Sequence, residues 1–146
     1  MLSDAKEELR TLRKLNATID ALLADKAQQR LRLVSLSRPL KEPVSGTKNG
    51  DFTDAIAQLL DMEKEINRRI DEYAELKQRI IHKISEMPTV NYRTLIYYYY
   101  VCGLNLYDTA KKMSYSYDWA RRAHSRALLE YEKGNEKEIR LHTNTH

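Results

Sequence analysis

Residues 105–133 read NLYDTAKKMSYSYDWARRAHSRALLEYEK, and this stretch decides the fold. Asn105 can cap a short helix over 106–113 and Ser116 a longer one from Tyr117 to about 133, because a short side-chain oxygen satisfies the amides that open a helix. Only Ser114, Tyr115 and Ser116 separate the two, which is the connection of a helix-turn-helix. Leu106, Ala110 and Met113 form the inner stripe of the first helix, and Ala120, Ala123, Ala127 and Leu128 that of the second; small Ala110 lets the two cross closely. The side chains left outward near the start of the second helix are Tyr117, Asp118, Arg121, Arg122 and Ser125, where a recognition helix meets base edges. Lys111, Lys112 and Arg126 are placed for phosphates.

Charge agrees with this placement. The chain of 146 residues has a net charge of only +4, with 25 basic and 21 acidic residues, but the excess is local. Across residues 111–126, Lys111, Lys112, Arg121, Arg122 and Arg126 are opposed by one acid, Asp118. A guanidinium can bond guanine O6 and N7 together, so Arg121 and Arg122 are the candidates for base reading. Asp118 could accept from a cytosine amine, although any acid is favoured at a helix N-terminus. A basic helix face is usually a solvated one; the capped turn is what gives these cations meaning.

Upstream lie two long heptad seams. Leu12, Leu15, Ile19, Leu22, Lys26, Gln29, Leu33 and Leu36 recur at alternating spacings of three and four, and the pattern stops at Pro39. Ile56, Leu59, Glu63, Ile66, Ile70, Tyr73, Lys77, Ile80, Ile84 and Met87 repeat the spacing after a cap at Asp51 or Thr53, until Pro88. Between them, residues 37–52 hold two of the three prolines and two of the four glycines and show no period, which predicts a flexible linker. Two helices of roughly 34 residues, each about 50 Å long, should fold back as an antiparallel hairpin over residues 1–87. Lys26, Gln29 and Glu63 would then form one polar layer that fixes register, and Glu63→Leu should raise stability. Leu9, Leu23, Leu60 and Ile81 widen the stripe beyond what two helices need. The remainder divides into a helix-turn-helix domain over 88–134, closed by Gly134, and a polar tail over 135–146.

In NYRTLIYYYYVC, residues 91–102, Tyr98 and Val101 are expected to join Leu95 in the core, with Tyr97 and Tyr100 packing outside it; Gly103 ends this helix. Four consecutive tyrosines on a helix point in four directions, which argues against a base-stacking platform. Trp119 reads as a packing residue and His124 as a packing or phosphate-touching one. Several function classes are excluded. There is no Gly-rich phosphate loop, HExxH or nucleophile elbow, and Cys102 has no evident base partner, so no enzyme is expected. Nor is any metal or other cofactor: His142 and His146 have metal-compatible spacing but lie in the tail. A mean hydropathy of -0.68 and the absence of a long apolar run argue against a membrane span, and the charged start MLSDAKEELR against a secretory signal, so a cytoplasmic protein is expected.

The segments Gly103-Leu104-Asn105-Leu106-Tyr107-Asp108-Thr109-Ala110, Ser116, and Arg122-Ala123-His124-Ser125-Arg126-Ala127-Leu128 resemble region 4 of bacterial sigma factors. Over nearly the whole chain the sequence also resembles short phage-encoded late-gene transcriptional regulators, the ArpU-like group among them, which join a helical hairpin to such a helix-turn-helix. The resemblance implies an all-α accessory regulator in the cytoplasm of a bacterial host, with double-stranded DNA as partner and a recognition helix over 117–133. It implies base contacts from Tyr117, Asp118, Arg121 and Arg122 and a backbone contact from Arg126, with the hairpin serving a homodimer or contact with RNA polymerase. Three positions depart from the family: Tyr99 replaces its usual Arg, Ser114 the glycine of the turn, and Ala120 a larger Val or Ile. A small terminase subunit, which also couples a helix-turn-helix to helical oligomerisation, and an interaction adaptor that no longer binds DNA are the alternatives.

Overall fold

The computed structural model describes residues 3–37 and 47–143 and is all-helical. α1 (Ser3–Ser37) and α2 (Thr47–Ser85) precede α3 (Val90–Ile96), which runs directly into a π-helical turn (Tyr97–Val101); α4 (Leu106–Met113) and α5 (Tyr117–Thr143) follow. No helix among the described residues is long and apolar enough to cross a membrane.

α1 is helical up to Ser37, the last described residue before Pro39, within the bound that a proline sets on a helix. α2 begins earlier than the sequence suggests. Residues 47–52, expected in the linker, are its first turns, so Asp51 and Thr53 lie inside the helix and do not cap it. No proline follows Pro43 in this stretch, and Gly50 costs a helix only about 1 kcal/mol. Residues 38–46 of the expected linker lie outside the described residues. The same reasoning corrects the far end. α5 passes through Gly134 and continues to Thr143, so residues 135–143 of the expected tail are helical. One glycine does not stop a helix when good helix formers such as Glu136, Lys137 and Glu138 follow. Residues 144–146, His146 among them, and the side chain of His142 lie outside what is described.

α1 and α2 pack against each other as antiparallel helices, and the chain forms two compact units: Met1–Ala17 with Tyr73–His146, and Thr18–Glu72. This division differs from the expected boundary at residue 87. In the first unit, Ala5, Leu9, Leu12 and Leu15 of α1 and Leu76, Ile80 and Ile84 of α2 share one core with Leu95, Ile96, Tyr100, Ala110, Ala120, Ala127 and Tyr131. Leu9, one of the residues that widened the stripe, is thereby covered. α5 packs on both α3 and α4, and Glu130 ties it to the start of α3, accepting from Thr89 N at 2.8 Å and Thr89 Oγ1 at 2.7 Å.

The π-helical turn reassigns the tyrosines. Cys102 N donates to Tyr97 O at 3.0 Å, a bond across five residues. The wider turn puts positions five apart on one side, so Leu95 and Ile96 share the core with Tyr100 and Val101. Tyr98, expected in the core, is half-buried, and Tyr100, expected outside it, is buried.

In the second unit, Lys26 Nζ lies 3.3 Å from Glu63, as the polar layer requires. Gln29 does not join that layer. Its amide donates instead to Ala55 O at 3.3 Å and Gln58 Oε1 at 3.1 Å. The reason is that the buried line of α2 runs one residue earlier at alternate positions than the size of the side chains suggests. Ala55 and Leu76 are buried, whereas Ile56, at 37% exposure, and Ile70, at 42%, stand on the flank. Leu23 and Leu60 are exposed in this unit too, together with Leu31 and Val34.

Candidate nucleic-acid interface

The turn between α4 and α5 is built from local hydrogen bonds. Asn105 Oδ1 accepts from Asp108 N at 2.7 Å and opens α4. Ser114 closes it in the left-handed region, φ 62° and ψ 35°. Ser114 N then donates to Lys111 O at 3.2 Å, and Tyr115 N reaches back to Ala110 O at 2.9 Å, a Schellman closure that glycine usually supplies. Two residues later Ser116 Oγ accepts from Trp119 N at 3.1 Å and opens α5. The two cap residues read from the sequence, Asn105 and Ser116, both act as caps.

Ala110, Ala120, Ala123, Ala127 and Leu128 are buried, and Leu106 and Met113 pack partly against them. The inner face of α5 is thus committed to the core, which fixes what faces outward. Tyr117, Asp118, Arg121, Arg122, Ser125 and Arg126 are all exposed, as are Lys111 and Lys112 at the end of α4. Arg121 Nη2 stands 3.8 Å from Asp118 Oδ1, and Arg122 Nε donates to Asp118 O at 3.3 Å. These are weak, open contacts that leave both guanidinium groups on the surface. At 100° per residue, Tyr117, Asp118, Arg121 and Ser125 share one flank of α5, while Arg122 and Arg126 form the next strip round. Lys112 Nζ lies 5.5 Å from the centre of the Tyr98 ring.

Trp119 is a packing residue: its ring stacks on Tyr115 at 4.0 Å with 16° between planes, and Tyr115 OH accepts from Asn91 Nδ2 at 2.8 Å. His124 is half-buried, with Nε2 2.8 Å from Tyr100 OH. Burial lowers its pKa from the usual 6.5, and the charges of Lys6, Arg10 and Arg13 lower it further.

Those three cations are the group that the sequence reading passed over. Arg13 Nη1 donates to Tyr99 O at 2.6 Å and Leu104 O at 3.0 Å, and its guanidinium lies 4.1 Å from the centre of the Tyr99 ring. Arg13, Tyr99, Asn105, Leu106, Tyr107 and Tyr117 border a surface recess of about 490 Å3. The available signal was the spacing of Lys6, Arg10 and Arg13, four and then three residues, on one side of a helix whose heptad line claimed the attention. Among the described residues no group of three His, Cys, Asp or Glu could hold a metal ion. Compared with protein-family models, with curated proteins and with solved structures, the chain finds no match.

Proposed function

We propose that this protein is a sequence-specific, double-stranded-DNA-binding transcriptional regulator of phage or prophage type, acting in the cytoplasm of a bacterial host. α5 lies in the major groove in this reading, with Tyr117, Asp118, Arg121, Arg122 and Ser125 at base edges and Lys111, Lys112 and Arg126 on phosphates. One observation carries it: a tightly capped pair of helices whose inner face is buried presents Arg121, Arg122 and Arg126 outward, and among the described residues no buried carboxylate neutralises them. A structural ion-pair network would have consumed those charges.

The Thr18–Glu72 unit supplies self-association in this reading, in preference to RNA polymerase contact. It exposes Leu23, Leu31, Val34, Ile56, Leu60 and Ile70, an aliphatic set larger than a solvated two-helix stem needs, and exposed apolar patches of this kind mark protein interfaces.

Selection of bound duplexes from random DNA tests the reading directly and should return a shared sequence. Binding should weaken with salt at a log–log slope of about -4 to -5 per domain, from the counterions released as the five cations Lys111, Lys112, Arg121, Arg122 and Arg126 meet the duplex. A slope near zero overturns electrostatic docking. Failure to retain any duplex at about 50 mM salt favours an interaction adaptor. Solution mass should show a dimer, and a ring of many subunits would return the small terminase reading.

A further inference from the structure

We propose that Lys6, Arg10 and Arg13 of α1 form a second phosphate-contacting track beside the recognition helix, so that a duplex is held by α1 as well as by α4 and α5. The inference rests on the DNA-binding reading and adds to it an element outside the helix-turn-helix.

The track follows from how α1 is divided among its neighbours. Ala5, Leu9 and Leu12 are buried in the core of the first unit. Glu8 points to α2, where Lys83 Nζ stands 2.7 Å and Arg79 Nε 3.7 Å from its carboxylate. On the opposite side of the buried line, Lys6, Arg10 and Arg13 fall within about 60° of one another at 100° per residue. Exposed Glu7 lies beyond Arg10, a further 60° or so round, away from α5.

Arg13 fixes where this flank sits. Its Nη1 is held by the carbonyls of Tyr99 and Leu104, while Nε and Nη2 have no hydrogen-bond partner among the described residues. Its guanidinium walls the recess that Tyr107 and Tyr117 also border, and Tyr117 is the first residue of α5. The charges of Lys6 and Arg10 reach His124, one turn of helix past Arg121. Lys6 is half-buried and Arg10 exposed, and neither has an ion-pair partner among the described residues. Arg13 therefore borders Tyr117 at the start of α5, with Arg10 and Lys6 one and two turns back on the same flank of α1.

A row of cations beside a recognition helix fits the sugar–phosphate backbone that borders the groove. It carries no sequence information, because phosphates position and bases specify. This fits one partner chemistry, a duplex polyanion, whose charges recur about every 1.7 Å along the axis.

The test uses the full chain, duplexes selected by it, and the variant K6A/R10A, which removes no core side chain. Affinity at about 100 mM salt should fall by roughly 10- to 60-fold and the log–log salt slope should become shallower by about 2, the value for two lost phosphates. The order of preference among duplexes, the helicity and the melting temperature should not change. The charge-conserving variant K6R/R10K should keep the wild-type affinity and slope. Wild-type affinity and slope in K6A/R10A would overturn the track and leave the DNA-binding reading standing. A reordered sequence preference in that variant would overturn it as well, by making these residues base readers. A wild-type chain that retains no duplex would remove the reading and the track together.

Discussion

The Tyr100 hydroxyl and His124 Nε2 stand 2.8 Å apart, with the two rings stacked at 5.7 Å between centroids. The pair joins the π-helical turn to α5 and makes stability sensitive to pH at both ends of the scale. Burial, followed by the charges of Lys6, Arg10 and Arg13, holds the His124 pKa below its usual 6.5. As pH falls through 6.5 the unfolded chain takes up a proton that the folded chain refuses, so stability falls with pH until His124 also titrates in the fold. Burial, followed by the charge of Tyr99, pushes the Tyr100 pKa up from 10.0 to about 12. The unfolded chain therefore loses its proton first, and stability falls again between pH 10 and about 12. Chemical denaturation at a series of pH values should show both declines; in H124Q the acidic one should shrink, and an unchanged acid limb would exclude His124 as its source.

Two turns make the same demand on the backbone, a positive φ, and meet it with different residues. Ser114 holds φ 62° without being glycine, at a cost that an L side chain incurs in the left-handed region. Ser114→Gly should stabilise by about 0.5–1 kcal/mol, the relief of strain exceeding the added freedom of the unfolded chain. Gly103 sits at φ 75°, and an added Cβ would approach Asn16 Nδ2 to 2.8 Å. Gly103→Ala should cost about 1–2 kcal/mol, mostly from the backbone, since the Asn16 amide can turn aside. Urea midpoints at constant slope would measure both, and equal signs for the two substitutions would refute the argument.

Glu63 reverses an expectation. Its side chain is 37% exposed and pairs with Lys26 from the flank of the α2 seam, so a leucine there does not complete a buried layer. Glu63→Leu should change stability by no more than about 0.5 kcal/mol, as for other exposed pairs. A clear rise in melting temperature would restore the buried-layer picture.

In the DNA-binding reading proposed above, Arg121 and Arg122 carry sequence preference. R121A/R122A should lose preference among duplexes, each lost guanine pairing being worth about 1–3 kcal/mol. Circular dichroism should show unaltered helicity, because neither side chain is buried. Retained preference would mean that another face of α5 reads the bases.

The chemistry of local turns made the helix-turn-helix legible in the sequence. Asn105 and Ser116 cap where their side-chain oxygens suggest, and alanines at 110, 120, 123 and 127 announce the inner faces. Three features escaped for physical reasons. A π-helical turn carries no mark in composition, so a period of 3.6 sent Tyr98 inward in place of Tyr100. A heptad pattern read from side-chain size preferred Ile56 to Ala55 and put Ile70 on a seam it does not join, although geometry and not bulk sets the buried line. The cations of α1 meet residues more than eighty positions away, Arg13 and Tyr99 being 86 apart. No local spacing encodes such a meeting.

The composite origin of the first unit has a bearing on how the chain acquires its shape during synthesis. Leu9 and Leu12 leave the ribosome well ahead of the partners that share their core, Leu76 through Tyr131, which follow 64 to 122 residues later. Until then the apolar side of α1 stays uncovered by its native partners. An isolated fragment beginning at α3 would lack that same side and expose the cavity it fills.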